Sequence, residues 1–216
     1  MILYGSTLSP FVRKVMAFAG EKGIELDLKP SGFPNAEPEF CKASPFKKMP
    51  ALIDDDFCLA DSTAIVHYLE AKYPDPALIP AAPRDRGRTI WFDEFADTIL
   101  FACGQKIFFN RIVAPRFLNR PGDLAIADAA QRDELPPILD YLETVVPDGD
   151  GYLVGDGLTL ADIAVAGPFA NLQHLDIQLD EARHPRTAAY VRRILDRPSF
   201  KPWIEQEKAM LARVPA

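Results

Sequence analysis

Cysteine is scarce in this sequence, and scattered where it occurs. The three cysteines, Cys41, Cys58 and Cys103, form no CxxC pair. That spacing argues against a disulfide framework and fits a reducing compartment. Long apolar runs are missing too. No stretch of about 18 apolar residues is present, so no membrane-spanning helix is expected. Met1-Ile2-Leu3-Tyr4-Gly5 has neither the basic start nor the apolar stretch of a secretion signal. The expected location is the cytoplasm. Positive charge is in deficit: 24 lysines and arginines against 31 acidic residues give a formal net charge of −7. Without a basic block the chain is a poor candidate for binding nucleic acid. An anionic ligand would need a locally positive site set against the overall field. Several catalytic signatures are also absent. There is no glycine-rich phosphate loop and no GxSxG elbow. His67, His174 and His184 stand at no metal-binding spacing with one another or with cysteine. Asp148-Gly149-Asp150-Gly151 lacks the twelve-residue pattern of a calcium loop and reads as a turn. NTP hydrolysis, metal catalysis and a serine-hydrolase triad all lose ground.

The chain does have an ordinary globular composition, 48% apolar and 25% charged over 216 residues. That suits one large domain or two small ones, with a core that needs no covalent staples. Ile2-Leu3-Tyr4 is a candidate buried strand. Pro10 opens a helix where its missing N–H costs nothing. Val12, Val15, Met16 and Ala19 form its apolar face, with Arg13, Lys14 and Glu21 off that stripe. Glu25–Lys29 alternates like a half-buried strand. The stretch from Pro30 to Pro38 reads as loop, with a weak helix around Ala36–Lys42. Ala51-Leu52-Ile53 and Phe57-Cys58-Leu59 flank an aspartate turn and suggest a hairpin. Ser62–Lys72 is a strong helix, and the proline-rich stretch 74–83 reads as a linker. The expected domains are therefore residues 1–75 and 84–216.

Beyond the linker no convincing strand is found. One long helix is expected over Arg84–Ala114. A second is expected over Asp123–Val146, kinked or restarted at Pro136-Pro137. The stretch from Thr159 to about Leu172 is apolar all round, as a buried helix would be. Two more helices fit 186–196 and 199–212. Thr159 and Asp162 form a capping box with Leu158 and Ile163 as its hydrophobic staple. This is a structural role, in which either alanine substitution costs about 1–2 kcal/mol. Trp91, Phe92, Phe95, Phe101, Phe108 and Phe109 crowd the long helix. Most are core, and a few can line a pocket where the two halves meet.

Four segments then fall in a recognisable order: Ser9-Pro10-Phe11-Val12-Arg13-Lys14-Val15, Lys47-Lys48-Met49-Pro50-Ala51-Leu52, Asp61-Ser62-Thr63-Ala64-Ile65 and Thr159-Leu160-Ala161-Asp162. Together they resemble the cytosolic glutathione transferase family over essentially the whole chain. The first segment looks like a serine-type (tau-like or zeta-like), bacterial-looking member, rather than the tyrosine type or the Cys-Pro-Phe reductase type. The resemblance implies an α/β thioredoxin-like N-terminal domain, an all-α C-terminal helical domain, glutathione as cosubstrate and a homodimer.

The same resemblance implies roles for particular residues. Ser9, one residue before the helix at Pro10, is the expected thiolate donor. The competing reading is a plain helix cap. Ser6 is the reserve donor, and Tyr4 reads as core or rim. Pro50 is expected to follow a cis bond, so that the Met49 backbone N–H and C=O meet the cysteinyl part of glutathione as an added strand would. Ser62 is expected to hold the γ-glutamyl carboxylate at a positive helix end. Asp61 would face the γ-glutamyl ammonium, although the family more often has Glu or Gln there and Asp61 alone makes a good helix cap. Of Lys47 and Lys48, Lys48 is slightly favoured for the glycyl carboxylate. The expected reaction is attack of the bound thiolate on a small hydrophobic electrophile. The alternatives are glutathione-dependent peroxide reduction or isomerisation, or a binding module without turnover.

Overall fold

The computed structural model describes residues 1–31 and 37–214. The first half builds one four-stranded sheet. β1 (Ile2–Tyr4) runs parallel to β2 (Asp27–Lys29) and antiparallel to β3 (Ala51–Asp54), and β3 pairs with β4 (Phe57–Ala60) in the order β2-β1-β3-β4. The parallel pair needs a crossover, and α1 (Pro10–Glu21) supplies it. The hairpin turns through Asp55 at φ 53°, in the left-handed region that aspartate tolerates. The weak helix is α2 (Pro38–Ala43), with Phe40 and Ala43 buried. Its expected start at Ala36, like most of the expected loop, lies outside the described residues. α3 (Ser62–Lys72) follows β4 directly.

Between α3 and α4 (Pro83–Glu94) the chain is tied down rather than loose. The Glu70 carboxylate accepts from the Leu78 and Ile79 N–H groups at 3.1 and 3.0 Å. Leu78 and Ile79 are buried, and the Leu78 C=O accepts from the Leu160 N–H at 2.8 Å. The expected single long helix begins at Pro83 and continues to Phe117. It passes through α5 (Phe101–Phe108) and two stretches of wider π turns, Phe95–Leu100 and Phe109–Phe117. Pro115, which has no N–H to donate, sits inside the second stretch. The kink or restart expected near Pro136-Pro137 takes the form of a wider π stretch just before the two prolines, with no break in the helix. α6 (Leu124–Ala129) widens over Ala130–Glu134 and becomes α7 (Leu135–Val145).

The buried helix expected over Thr159–Leu172 is two helices, α8 (Leu160–Ala166) and α9 (Phe169–Gln173). Pro168 forces the break, because it cannot donate an N–H into the α8 ladder. α10 (Pro185–Leu195) and α11 (Lys201–Arg213) complete the bundle. The two halves share one hydrophobic cluster, which runs from Leu3, Val12 and Leu52 through Phe92 and Leu100 to Ile163 and Phe200.

The apolar stripe misjudged two α1 residues. Arg13 and Lys14 are both buried, because each meets a charged partner from the helical half. Lys14 Nζ lies 2.7 Å from Asp93 Oδ1 and 2.6 Å from Asp97 Oδ2. Glu21, at the far end, accepts from Arg197 and Ser199. Burial raises the Glu21 carboxyl, but these donors outweigh it and hold it below the ordinary glutamate range. Among the described residues no helix is long and apolar enough to cross a membrane.

Candidate active site

β1 delivers the chain to Gly5, where φ is 152° and a Cβ would lie 2.5 Å from a Val12 methyl. Only glycine fits such a close approach. The chain then turns through residues 6–9 into α1. The Ser9 N–H donates to the Ser6 C=O at 2.9 Å, and the Ser9 C=O accepts from the Arg13 N–H at 3.0 Å. The Ser9 hydroxyl makes no capping bond, so the helix does not consume it. Half-buried Ser9 stands at the positive end of the α1 dipole and borders a cavity of about 680 Å³ between the two halves. Ser6 and Met49 border the same cavity. Tyr4 is buried with its ring packed on Phe40 and belongs to the core.

The helical half holds this loop in place. Asn171 Nδ2 donates to the Leu8 C=O at 2.9 Å, one residue before Ser9. Asn171 Oδ1 accepts from Arg13 Nη1 at 2.8 Å, and the same nitrogen donates to the Gly167 C=O at 2.8 Å. The remaining Arg13 nitrogens form a fork on Glu207, Nε to Oε1 at 3.0 Å and Nη2 to Oε2 at 2.7 Å. His174 Nε2 lies 2.7 Å from Glu207 Oε2. Burial pushes the Glu207 carboxyl up, but Arg13 and His174 outweigh it and hold the group below the ordinary glutamate range.

The Met49–Pro50 peptide is cis, as expected. The turn before it is fixed by Ser44, whose hydroxyl donates to the Lys48 C=O at 2.7 Å and accepts from the Lys48 N–H at 3.0 Å. The Lys47 and Lys48 side chains are exposed. At the start of α3, Asp61 adopts φ 83° and its carboxylate caps the helix by accepting from the Ala64 N–H at 3.0 Å. Ser62 is buried at the first helical position, with its hydroxyl 3.4 Å from Asp97 Oδ2. Thr63 donates to Asp93 Oδ2 at 2.8 Å. Burial raises the Asp97 carboxyl and Asp93 adds to this, while Lys14 opposes both. Ser9 and Met49 therefore meet at the cavity, whereas Lys48, Asp61 and Ser62 lie outside its lining.

Models of the glutathione S-transferase N-terminal and C-terminal domains match residues 3–77 and 116–207. Glutathione S-transferase 3 of Zea mays is 31% identical to this chain, over 94% of it and 86% of the maize protein. The chain belongs to the glutathione S-transferase family. A glutathione S-transferase of Hyoscyamus muticus is 29% identical over 96% of this chain and 99% of its own. The crystal structure of glutathione transferase F7 from Populus trichocarpa overlays with a TM-score of 0.82 at 26% identity, covering 94% and 97% of the two chains. The fold is the glutathione transferase fold.

Within that fold the helical half supplies the apolar wall of the cavity, including Phe101, Phe108 and Phe109 from the expected aromatic cluster. Phe92 and Phe95 are core, while Trp91 is exposed and donates from Nε1 to the Tyr141 hydroxyl at 3.3 Å. Sequence reasoning missed three polar residues at the cavity, Ser31, Gln105 and Asn171. Asn171 did leave a signal: it is a lone amide inside a run that is otherwise apolar all round. Ser31 left none, since a serine after a proline reads as loop.

Proposed function

We propose that this protein is a serine-type glutathione S-transferase in which Ser9 donates a hydrogen bond to the thiolate of bound glutathione. The supporting observation is the free Ser9 hydroxyl, standing at a helix N-terminus on the border of an apolar cavity. Lowering a thiol pKa by roughly two units takes about 2.7 kcal/mol. A hydrogen bond to a charged acceptor supplies about 1.5–3 kcal/mol, and the helix dipole about 0.3–1 kcal/mol more. The two together are sufficient. The sulfur then faces the cavity, attacks a small hydrophobic electrophile held there, and leaves as a thioether. The protein contributes orientation and anion stabilisation rather than a covalent nucleophile. Serine rather than cysteine before Pro10 fits transfer better than disulfide reduction.

In this reading glutathione lies along the edge of the first domain. The Met49 backbone, ahead of cis Pro50, pairs with the cysteinyl part. Ser62 takes the γ-glutamyl carboxylate at the N-terminus of α3. Asp61 faces the ammonium, and Lys48, exposed and free to swing, meets the glycyl carboxylate. We read the protein as a cytoplasmic homodimer. Phe46 is 87% exposed on the turn after α2, and Trp91 and Ile99 are exposed on the long helix. A second copy would cover such apolar surface. Calorimetry tests the binding step, with saturable glutathione binding expected below millimolar concentration. No binding at millimolar glutathione overturns the reading. Light scattering at micromolar protein tests the dimer, and a monomer there refutes it.

A further inference from the structure

Three backbone groups set where the Cα–Cβ bond of Ser9 points. The Ser9 N–H is held by the Ser6 C=O at 2.9 Å, and the Ser9 C=O by the Arg13 N–H at 3.0 Å. Both bonds are local to the loop and the first turn of α1. The third group is the Leu8 C=O, whose partner is Asn171 Nδ2 at 2.9 Å, 163 residues along the chain. The Leu8 C=O and the Ser9 N–H belong to one planar peptide. Ser6 therefore holds one edge of that plane and Asn171 the other. Without the second hold the plane is free to tilt about the first, and the Ser9 hydroxyl moves with it.

Asn171 is 6% exposed and borders the cavity, yet both its polar atoms are engaged inside the protein. Its Oδ1 accepts from Arg13 Nη1 at 2.8 Å. Arginine has only donors, so the amide oxygen must face it, and the amide nitrogen is left to face Leu8. Arg13 cannot swing away, because it is forked on Glu207 and also donates to the Gly167 C=O. Arg13 and Glu207 are fully buried, so water does not compete for these bonds. Arg13 thus reaches Ser9 twice, through its own backbone N–H and through the amide that its side chain orients.

We propose that Asn171 is a positioning residue for the transferase reaction, fixing the peptide between residues 8 and 9 so that the Ser9 hydroxyl is aimed at the glutathione sulfur. This rests on the Ser9 reading above. A hydrogen bond weakens steeply as its angle closes away from linear. A tilted Ser9 therefore still leaves glutathione bound but stabilises its thiolate less. The signature is a loss of thiolate without a loss of affinity.

The test uses the whole protein as wild type, Asn171→Leu, Ser9→Ala and the double variant. Bound-thiolate absorbance is titrated against pH. Calorimetry gives the glutathione Kd in the acid range where the sulfur is protonated in every variant. Asn171→Leu keeps the shape of the amide and removes both its bonds. It should raise the bound thiol pKa by about half to one unit, less than loss of the hydroxyl itself. The Kd should stay within about twofold, since only part of one neutral hydrogen bond is at stake. In the Ser9→Ala background the same replacement should leave the titration unchanged, because no hydroxyl remains to be aimed. Asn171→Ala repeats the comparison if the leucine variant fails to fold. An unchanged titration in the folded Asn171 variant overturns the proposal and leaves the Ser9 reading standing. An equal shift in the Ser9→Ala background also overturns it, since the amide would then act by another route. If Ser9→Ala alone leaves the titration unchanged, the Ser9 reading falls and takes the proposal with it.

Discussion

Replacing Asp162 by alanine separates a simple helix cap from a buried hub. Asp162 is fully buried at the third residue of α8. Its Oδ2 accepts from the Thr159 N–H at 2.9 Å and from the Thr159 hydroxyl at 3.2 Å. Its Oδ1 accepts from the Leu153 N–H at 2.9 Å and from the Tyr190 hydroxyl at 2.7 Å. Asp162→Ala therefore strands two backbone donors and a buried phenol, each costing about 1–3 kcal/mol when unsatisfied. Part of this is returned, because burial pushes the Asp162 carboxyl up and the charge is itself expensive to hold. The net loss should be about 3–5 kcal/mol, above the 1–2 kcal/mol expected from the capping box alone. Thr159→Ala removes the bond from the Ala161 N–H at 3.3 Å, the hydroxyl's share of the capping box with the Asp162 N–H, and the hydroxyl contact with Asp162, for about 1 kcal/mol. In a chain of this size each kcal/mol moves Tm by about 2–4 °C, so the two variants should melt well apart. Urea and thermal unfolding measure both, with turnover per folded molecule as control. Equal losses in the two variants refute the hub. Normal melting with lost turnover would make these residues part of the site instead.

Glu207→Gln should destabilise the protein by about 3 kcal/mol at neutral pH, because Arg13 is left buried without its charge partner. The Glu207 carboxyl lies below its ordinary value of 4.5 in the fold. Its contribution is therefore complete above about pH 4.5 and lost as the pH falls through the folded value. Urea midpoints against pH should fall in this acid window more steeply for the wild type than for Glu207→Gln, and parallel curves contradict the assignment. Cys103 is buried and its thiol is pushed up to about 11, mainly by burial and then by Glu134. Alkylation of native protein followed by mass spectrometry should label half-buried Cys41 and Cys58 well before Cys103. Rapid native labelling of Cys103 refutes this.

Much of the architecture follows from local rules that a single chain displays openly. Pro10 and Pro185 open helices, the Asp54–Phe57 turn separates two apolar triplets, Asp123 stands at the start of an expected helix, and Thr159 caps where a cap was expected. Pairing across the two halves was not legible. Arg13 and Lys14 read as a polar face because their partners, Glu207, Asp93 and Asp97, lie some 80 to 190 residues away. Hydrophobic periodicity carries no information about a buried ion pair. The α8–α9 break was missed because apolar residues on both sides of Pro168 outweighed the proline itself. At the candidate site, the helix-start residues Ser9, Asp61 and Ser62 announce themselves through position and motif. Ser31 and Asn171 depend on where the cavity falls, which only the packed halves determine.

Absorbance of bound glutathione thiolate near 240 nm, titrated against pH for wild type and Ser9→Ala, tests the central claim most directly. The account predicts that the bound thiol of the wild type ionises about two units below free glutathione, and that Ser9→Ala raises it by about one to two units, the range of one charge-directed hydrogen bond. Turnover at neutral pH should fall about ten- to a hundredfold and recover in part as the pH is raised, while glutathione affinity changes far less. An unchanged titration in Ser9→Ala contradicts the account and passes the role to Ser6, the other serine of this loop at the cavity.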